Sequence, residues 1–205
     1  QLLEQLEEDG LSDNTIVVHW SDHGPMPRGK RHLYDTGIHS PMIVRWSGEV
    51  APGSTSDRLV STVDIGATML SACGITVPPH FQGKAFLGTQ ASAERRYAYA
   101  SLDRSDMDND MVRAVRDKRY KYLRNVYPEK PYLIWNRFRN NHPIMQEWYR
   151  CWLEGSLDET QSIMFADKRP VEELYDTDAD PWEVHNLAQD NDLSEVLLGM
   201  RQALE

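Results

Sequence analysis

The chain is poor in cysteine, with only Cys73 and Cys151 among 205 residues. Two thiols cannot form a disulfide framework, although a single bridge between them is open. No apolar run approaches the ~20 residues of a membrane-spanning helix, so no membrane partner is expected. Positive charge is also short: 22 Lys and Arg stand against 32 Asp and Glu, for a net charge of −10. That balance argues against a general nucleic-acid binder, which shows a basic face. It leaves room for a small anionic ligand, because a local cluster such as residues 28–32 can hold one inside an acidic protein. No signal peptide opens the chain, and no internal repeat or low-complexity segment interrupts it. What is present suits a packed core: 40% hydrophobic residues, six Trp and nine Tyr. The length allows one large domain or parts of two.

Leu2, Leu3 and Leu6 fall at helical spacing in residues 1–9, and Gly10 is a helix stop. A turn at Ser12-Asp13-Asn14 leads into residues 15–20, a short apolar run rich in β-branched residues that reads as a buried strand. Helix, turn and buried strand in that order read as the middle of an α/β domain rather than its beginning. Residues 41–46 give a second short strand and residues 48–57 a Gly/Pro/Ser loop. Residues 59–73 read as a helix with Val63, Ile65, Met69 and Leu70 on its apolar stripe, ended by Gly74. From about Tyr97 the texture changes. Residues 97–102, 111–116, 119–124 and 173–176 read as strands, the middle two forming a hairpin around Asp117-Lys118. Residues 146–153 and 193–204 read as helices. Antiparallel strands with a terminal helix suggest a small α+β subdomain. The pattern predicts an α/β portion over 1–95 and the α+β subdomain, with an aromatic insertion, over 96–205.

The stretch with chemical content is residues 15–41. Asp22 and His23 stand at the end of the first strand. Gly24, Pro25, Pro27 and Gly29 then break regular structure, and Arg28, Lys30, Arg31 and His32 make the following loop cationic. In open α/β sheets, ligands bind beyond the carboxyl ends of strands. A carboxylate and an imidazole there, followed by cations, suit a metal and an anion. The plain alternative is a polar turn leaving a core strand, since Asp-His-Gly is common turn chemistry.

The ordered series Ser21-Asp22-His23-Gly24, Lys30, and Leu33-Tyr34-Asp35-Thr36-Gly37-Ile38-His39-Ser40-Pro41-Met42-Ile43-Val44-Arg45-Trp46 resembles the second half of the sulfatase catalytic domain. That family is part of the alkaline-phosphatase-like superfamily. The resemblance continues through Asp64 early in its helix, Gln82-Gly83-Lys84, and residues 112–116, 120–122 and 173–176. Asp180-Pro181 and Asn186-Leu187-Ala188 follow in the family's order. Asp103-Arg104 and the hairpin look most like the branch that includes heparan N-sulfatases and bacterial relatives. The chain departs from the pattern at Ala67 and Ser47, where Pro is usual, and neither change touches proposed chemistry. The resemblance implies a partial α/β alkaline-phosphatase-like domain followed by a small α+β C-terminal subdomain with an antiparallel sheet.

The resemblance also implies roles. Asp22 and His23 would be two metal ligands, with Ca²⁺ the implied ion. Calcium prefers oxygen, so His23 leaves the identity of the metal open. Lys30 would be the catalytic lysine that contacts the sulfate, a point charge on a flexible stem. His32, His39 and Arg104 are candidate substrate contacts, and Asp106 is a weaker one. Arg28 and Arg31 read as solvated. The aromatic segment 127–165 reads as either ordinary packing or a wall that stacks on sugar faces. The family's nucleophile is a formylglycine made within a Cys/Ser-x-Pro-x-Arg motif. Cys73 is followed by Gly-Ile-Thr-Val and Cys151 by Trp-Leu-Glu-Gly, so neither fits. The reading is therefore the C-terminal half of a sulfatase that hydrolyses sulfate esters or sulfamates, with a sulfated carbohydrate as substrate and the N-terminal half of the same enzyme as partner. A periplasmic, secreted or lysosomal site is implied by family alone. Rival readings are a phosphodiester or phosphonate monoester hydrolase of the same fold, or a non-catalytic structural or binding fragment.

Overall fold

A computed structural model describes residues 1–105 and 108–205, so Asp106 lies outside the described residues. In chain order the principal elements are α1 (Leu2–Glu8), β1 (Val17–Trp20), α2 (Asp35–Ile38), β2 (Met42–Arg45), α3 (Asp64–Ala72), β3 (Ala98–Ser105), β4 (Asp108–Arg116), β5 (Tyr120–Asn125), α4 (Arg137–Asn140), α5 (Pro143–Leu153), α6 (Glu159–Ser162), β6 (Glu172–Asp176) and α7 (Ser194–Leu204). The chain forms two compact units, one of Gln1–Ser21 with Pro41–Ala98, the other of Asp22–Ser40 with Tyr99–Glu205. Cys73 and Cys151 are both free thiols, so the possible bridge is not made.

In the first unit β1 and β2 pair antiparallel, with Val18 opposite Val44. β1 is half-buried rather than buried, and Trp20 is exposed. A two-stranded ribbon has no third strand to cover it. Helix α3 does not bury the apolar stripe its sequence suggests: Val63, just before it, is exposed, and its buried face is Asp64, Ala67, Thr68 and Ser71. These positions follow helical spacing, but their role is to bond backbone. The Asp64 carboxylate accepts the N–H groups of Ser61 and Lys84 at 2.8 Å and pairs with Arg95 at 2.6 Å. Thr68 Oγ1 accepts from the Phe86 N–H, and Ser71 Oγ from the Gln90 N–H. Polar side chains thus replace an apolar stripe because the irregular segment after the helix offers backbone donors that need partners.

In the second unit the sheet order is β3-β4-β5-β6. Arg116 lies opposite Lys121, and Lys121 opposite Tyr175. Because side chains alternate across a sheet, this register sorts the two faces. One face holds Val115, Tyr122 and Leu174 and is covered by α7, whose Leu197 and Met200 are buried. Arg201 of α7 bonds Glu172 at the same face. The other face holds Val112, Ala114, Leu123 and Tyr175, and there Leu33 and Tyr34 join Tyr132 and Met164 in the core. That second face also carries Lys121, Glu173 and Asn125, all buried. The sequence expectation of strands plus a terminal helix holds, as does the hairpin turn at residues 117–119.

Candidate functional site

The Asp22–Ser40 loop is fixed from both ends by glycines. The Gly24 N–H bonds the Gly37 carbonyl at 2.9 Å. A Cβ on Gly24 would sit 1.6 Å from the Thr36 oxygen, and one on Gly37 2.1 Å from the Gly29 oxygen. Backbone packs on backbone here, and only a residue without Cβ allows that approach.

The inner side of the loop is tied to the sheet through buried charge. Lys121 is fully buried, and its Nζ lies 3.0 Å from both Asp35 Oδ1 and Glu183 Oε1. Glu183 also accepts the Asp35 N–H at 2.5 Å, and Arg116 donates to Asp35 Oδ2 from 3.0 Å. Burial pushes the Asp35 carboxyl up, but Lys121 and Arg116 overcome that and hold it below the ordinary carboxylate range. Glu183 moves the other way: burial lifts it, Asp35 adds to the lift, and Lys121 offsets only part. Beside this triad, Glu173 accepts from Tyr34 and Tyr175 hydroxyls at 2.8 and 2.6 Å and from Asn125 at 2.6 Å. Arg28 is part of the same anchorage rather than solvated. Its guanidinium lies 4.1 Å from the Tyr34 ring centroid and donates to the Glu183 carbonyl at 2.6 Å and to the Trp182 carbonyl.

The outer side presents the residues with chemistry. Asp22 is exposed, and its Oδ2 lies 3.4 Å from His23 Nε2. His23 Nδ1 is 2.8 Å from the Gly24 carbonyl. A carbonyl can only accept, so this contact is a hydrogen bond only with a proton on Nδ1. Metal-ligating histidines are oriented in this way by an N–H bond to a carbonyl. The pair fits two positions in the shell of a divalent ion. Among the described residues no cluster of three or more His, Cys, Asp or Glu is arranged to hold a metal. Lys30 is half-buried, and its ammonium lies 5.2 Å from the centroid of the Phe138 ring.

The other sequence candidates separate in kind. The His32 ring is enclosed, with no hydrogen-bond partner at Nε2. Burial, then Arg139, Arg28, Arg169 and Arg31, lower its pKa to about 3. It is therefore a neutral imidazole at ordinary pH. His39 is exposed at the end of α2, 3.7 Å from Asp35 Oδ2. Arg104 is exposed on β3, an edge strand. Phe138 was hidden in the sequence inside an irregular aromatic segment; the signal that could have marked it is the Asn-x-x-Arg turn that holds it outward.

This loop and sheet define a class: part of an alkaline-phosphatase-like sulfatase domain with a small α+β subdomain. Residues 1–75 match the Sulfatase family model. The chain is 43% identical to an ulvan-active sulfatase of Formosa agariphila over all 205 of its residues, which cover 34% of that protein. It is 26% identical to human N-sulphoglucosamine sulphohydrolase over 223 aligned positions, covering 99% of this chain and 43% of that one. A solved structure in complex with its substrate D-glucosamine-2-N,6-O-disulfate shares the fold at a TM-score of 0.70 and 24% identity, over 99% of this chain and 36% of that one. Over its whole length the chain is similar to sulfatases, and it spans roughly a third to two-fifths of the length of these relatives.

Proposed function

We propose that this chain supplies the second part of a sulfatase active site, in a parent enzyme that hydrolyses sulfate esters or sulfamates of carbohydrates. Asp22 and His23 would hold a divalent ion, with Ca²⁺ the first choice, and Lys30 would contact the sulfate oxygens. When bound, the ion would supply positive charge to stabilise the transition state. Lys30 places a positive charge beside the same anion and stands ready to assist departure of the alcohol or amine. The observation that carries this reading is the placement of His23, with Nδ1 2.8 Å from the Gly24 carbonyl and Nε2 3.4 Å from the Asp22 carboxylate, on the loop that also carries Lys30. The named carbohydrate substrates of relatives support the substrate class.

The nucleophile is not supplied by either cysteine of this chain. Hydrolysis then requires a part of the parent enzyme that provides a formylglycine and further metal ligands. Two ligands are few for an ion that takes six or more oxygens. The family reading carries a periplasmic, secreted or lysosomal compartment with it. Among the described residues no helix is long and apolar enough to cross a membrane.

The test has two arms. The pure chain, given a chromogenic aryl sulfate and Ca²⁺, shows no turnover and binds Ca²⁺ weakly. In a full-length sulfatase carrying this chain, Asp22→Ala and Lys30→Ala each lower kcat/KM by about 100-fold or more, and chelation abolishes turnover. Full activity in either variant overturns the assignment.

A further inference from the structure

The turn before and through α4 sorts its side chains sharply. Asn136 and Arg139 are buried, while Trp135 and Phe138 are exposed, each at 67%. The turn is fixed from inside. Asn136 caps it by accepting the Arg139 N–H at 2.9 Å, and the Arg139 guanidinium donates to the Ile134 carbonyl. Arg139 also stands close enough to His32 to help keep that imidazole neutral. The aromatic rings therefore do not face water because the turn is loose. They face water because Asn136 and Arg139 hold the backbone.

Phe138 has a second property: its ring centroid lies 5.2 Å from Lys30 Nζ. The ammonium lies over one face of the ring, and a sulfate that engages Lys30 from that side brings the group bonded to it toward the same exposed ring. A pyranose presents axial C–H bonds that pack on an aromatic face, which carries partial negative charge. The juxtaposition of a cation for the sulfate and a ring for the sugar is complementary to a sulfated sugar, and not to inorganic sulfate alone.

We propose that Phe138 is a specificity-determining residue, a platform for the pyranose ring whose sulfate contacts Lys30. The inference rests on the assignment of Lys30 to the sulfate and goes beyond it by adding a contact to the sugar. It is tested on the chain by ligand-observed NMR, with glucosamine 6-sulfate and inorganic sulfate as probes. Taking the ratio of the two dissociation constants cancels any effect that acts through Lys30 alone. Phe138→Ala raises the ratio of the glucosamine 6-sulfate constant to the sulfate constant by about five- to tenfold, and Phe138→Tyr restores it. A ratio unchanged in Phe138→Ala, with both ligands weakened equally, makes Phe138 a positioning residue for Lys30 and overturns the proposal. So does a ratio that Phe138→Leu preserves, since Leu keeps apolar bulk without a ring face. If neither probe binds the wild-type chain at millimolar concentration, or Lys30→Ala leaves sulfate binding intact, it is the placement of Lys30 that fails, and the platform falls with it.

Discussion

Replacing Lys121 by Met tests the anchorage beneath the loop. The Nζ of Lys121 is fully buried and stands 3.0 Å from each of two carboxylates. Met matches its length and removes its charge, so cavity formation adds little. Asp35 keeps Arg116 at 3.0 Å, and Glu183 keeps only the Asp35 N–H at 2.5 Å and loses its cation. Breaking a buried ion pair by removing one partner costs about 3–5 kcal/mol, against a total stability of roughly 5–15 kcal/mol for a domain. The urea midpoint of Lys121→Met therefore falls by about a fifth or more. The pH dependence has a definite sign. Burial already raises the Glu183 carboxyl, and loss of Lys121 raises it further. A carboxyl raised in the folded state destabilises above its unfolded pKa and is relieved on protonation. The penalty thus shrinks as the solution is taken from pH 8 towards 5. Glu183→Gln added to Lys121→Met removes the orphaned charge and recovers about half the loss. A loss below about 1 kcal/mol, or no recovery in the double variant, refutes the claim that this triad is a closed electrostatic unit.

Acid lowers stability through His32 as well. Its folded pKa of about 3 lies below its unfolded value near 6.5, so the unfolded chain binds a proton that the folded one refuses. Stability contributed by neutral His32 is complete above pH 6.5 and is lost on descent towards pH 3, reaching about 3 kcal/mol by pH 4. Urea midpoints of wild type and His32→Gln across that range measure the difference, and parallel curves reject it. Gly24→Ala forces a Cβ onto the Thr36 carbonyl, 1.6 Å away, and costs about 1–3 kcal/mol or more. Gly199→Ala in α7 meets nothing within 4 Å and stabilises by about 0.5–1 kcal/mol; a thermal melt showing the same sign for both glycines contradicts the packing.

Strands and terminal helix were legible because their periods are local. The β4–β5 hairpin needs only alternation and a turn, and Asp117 accepts the N–H groups of Arg119 and Tyr120 as a turn residue should. The buried face of α3 was not legible. Helical spacing points to Val63 and Ile65, but Asp64, Thr68 and Ser71 are drawn inward by backbone donors supplied about twenty residues later. The loop was legible in content and not in direction. Its charges mark chemistry, yet nothing local says that Arg28 turns to Tyr34 and the Glu183 carbonyl while Lys30, two residues on, turns to Phe138. Each choice involves a partner more than a hundred residues distant, Glu183 for Arg28 and Phe138 for Lys30, and no single-sequence period carries that information.

The loop's two sides are coupled by more than adjacency. Asp22 and His23 lead directly into Gly24, whose N–H is held by Gly37. Gly37 belongs to α2, and α2 begins at Asp35, the residue that Lys121 and Arg116 clamp. A shift of Asp35 is therefore passed through backbone contacts, with no flexible side chain between, to the Gly24 carbonyl that His23 Nδ1 meets at 2.8 Å. Packed backbone does not deform continuously, so the placement of the proposed metal ligands is expected to follow that of the buried ion triad. In a full-length enzyme, Lys121→Met would then weaken metal binding as well as lower stability, whereas Arg201→Met, which removes an ion pair on the opposite face of the sheet, would lower stability alone. A calcium titration of the two variants, compared at equal folded fraction, separates transmission through the loop from general loosening: equal losses of affinity would show that the glycine contacts carry nothing.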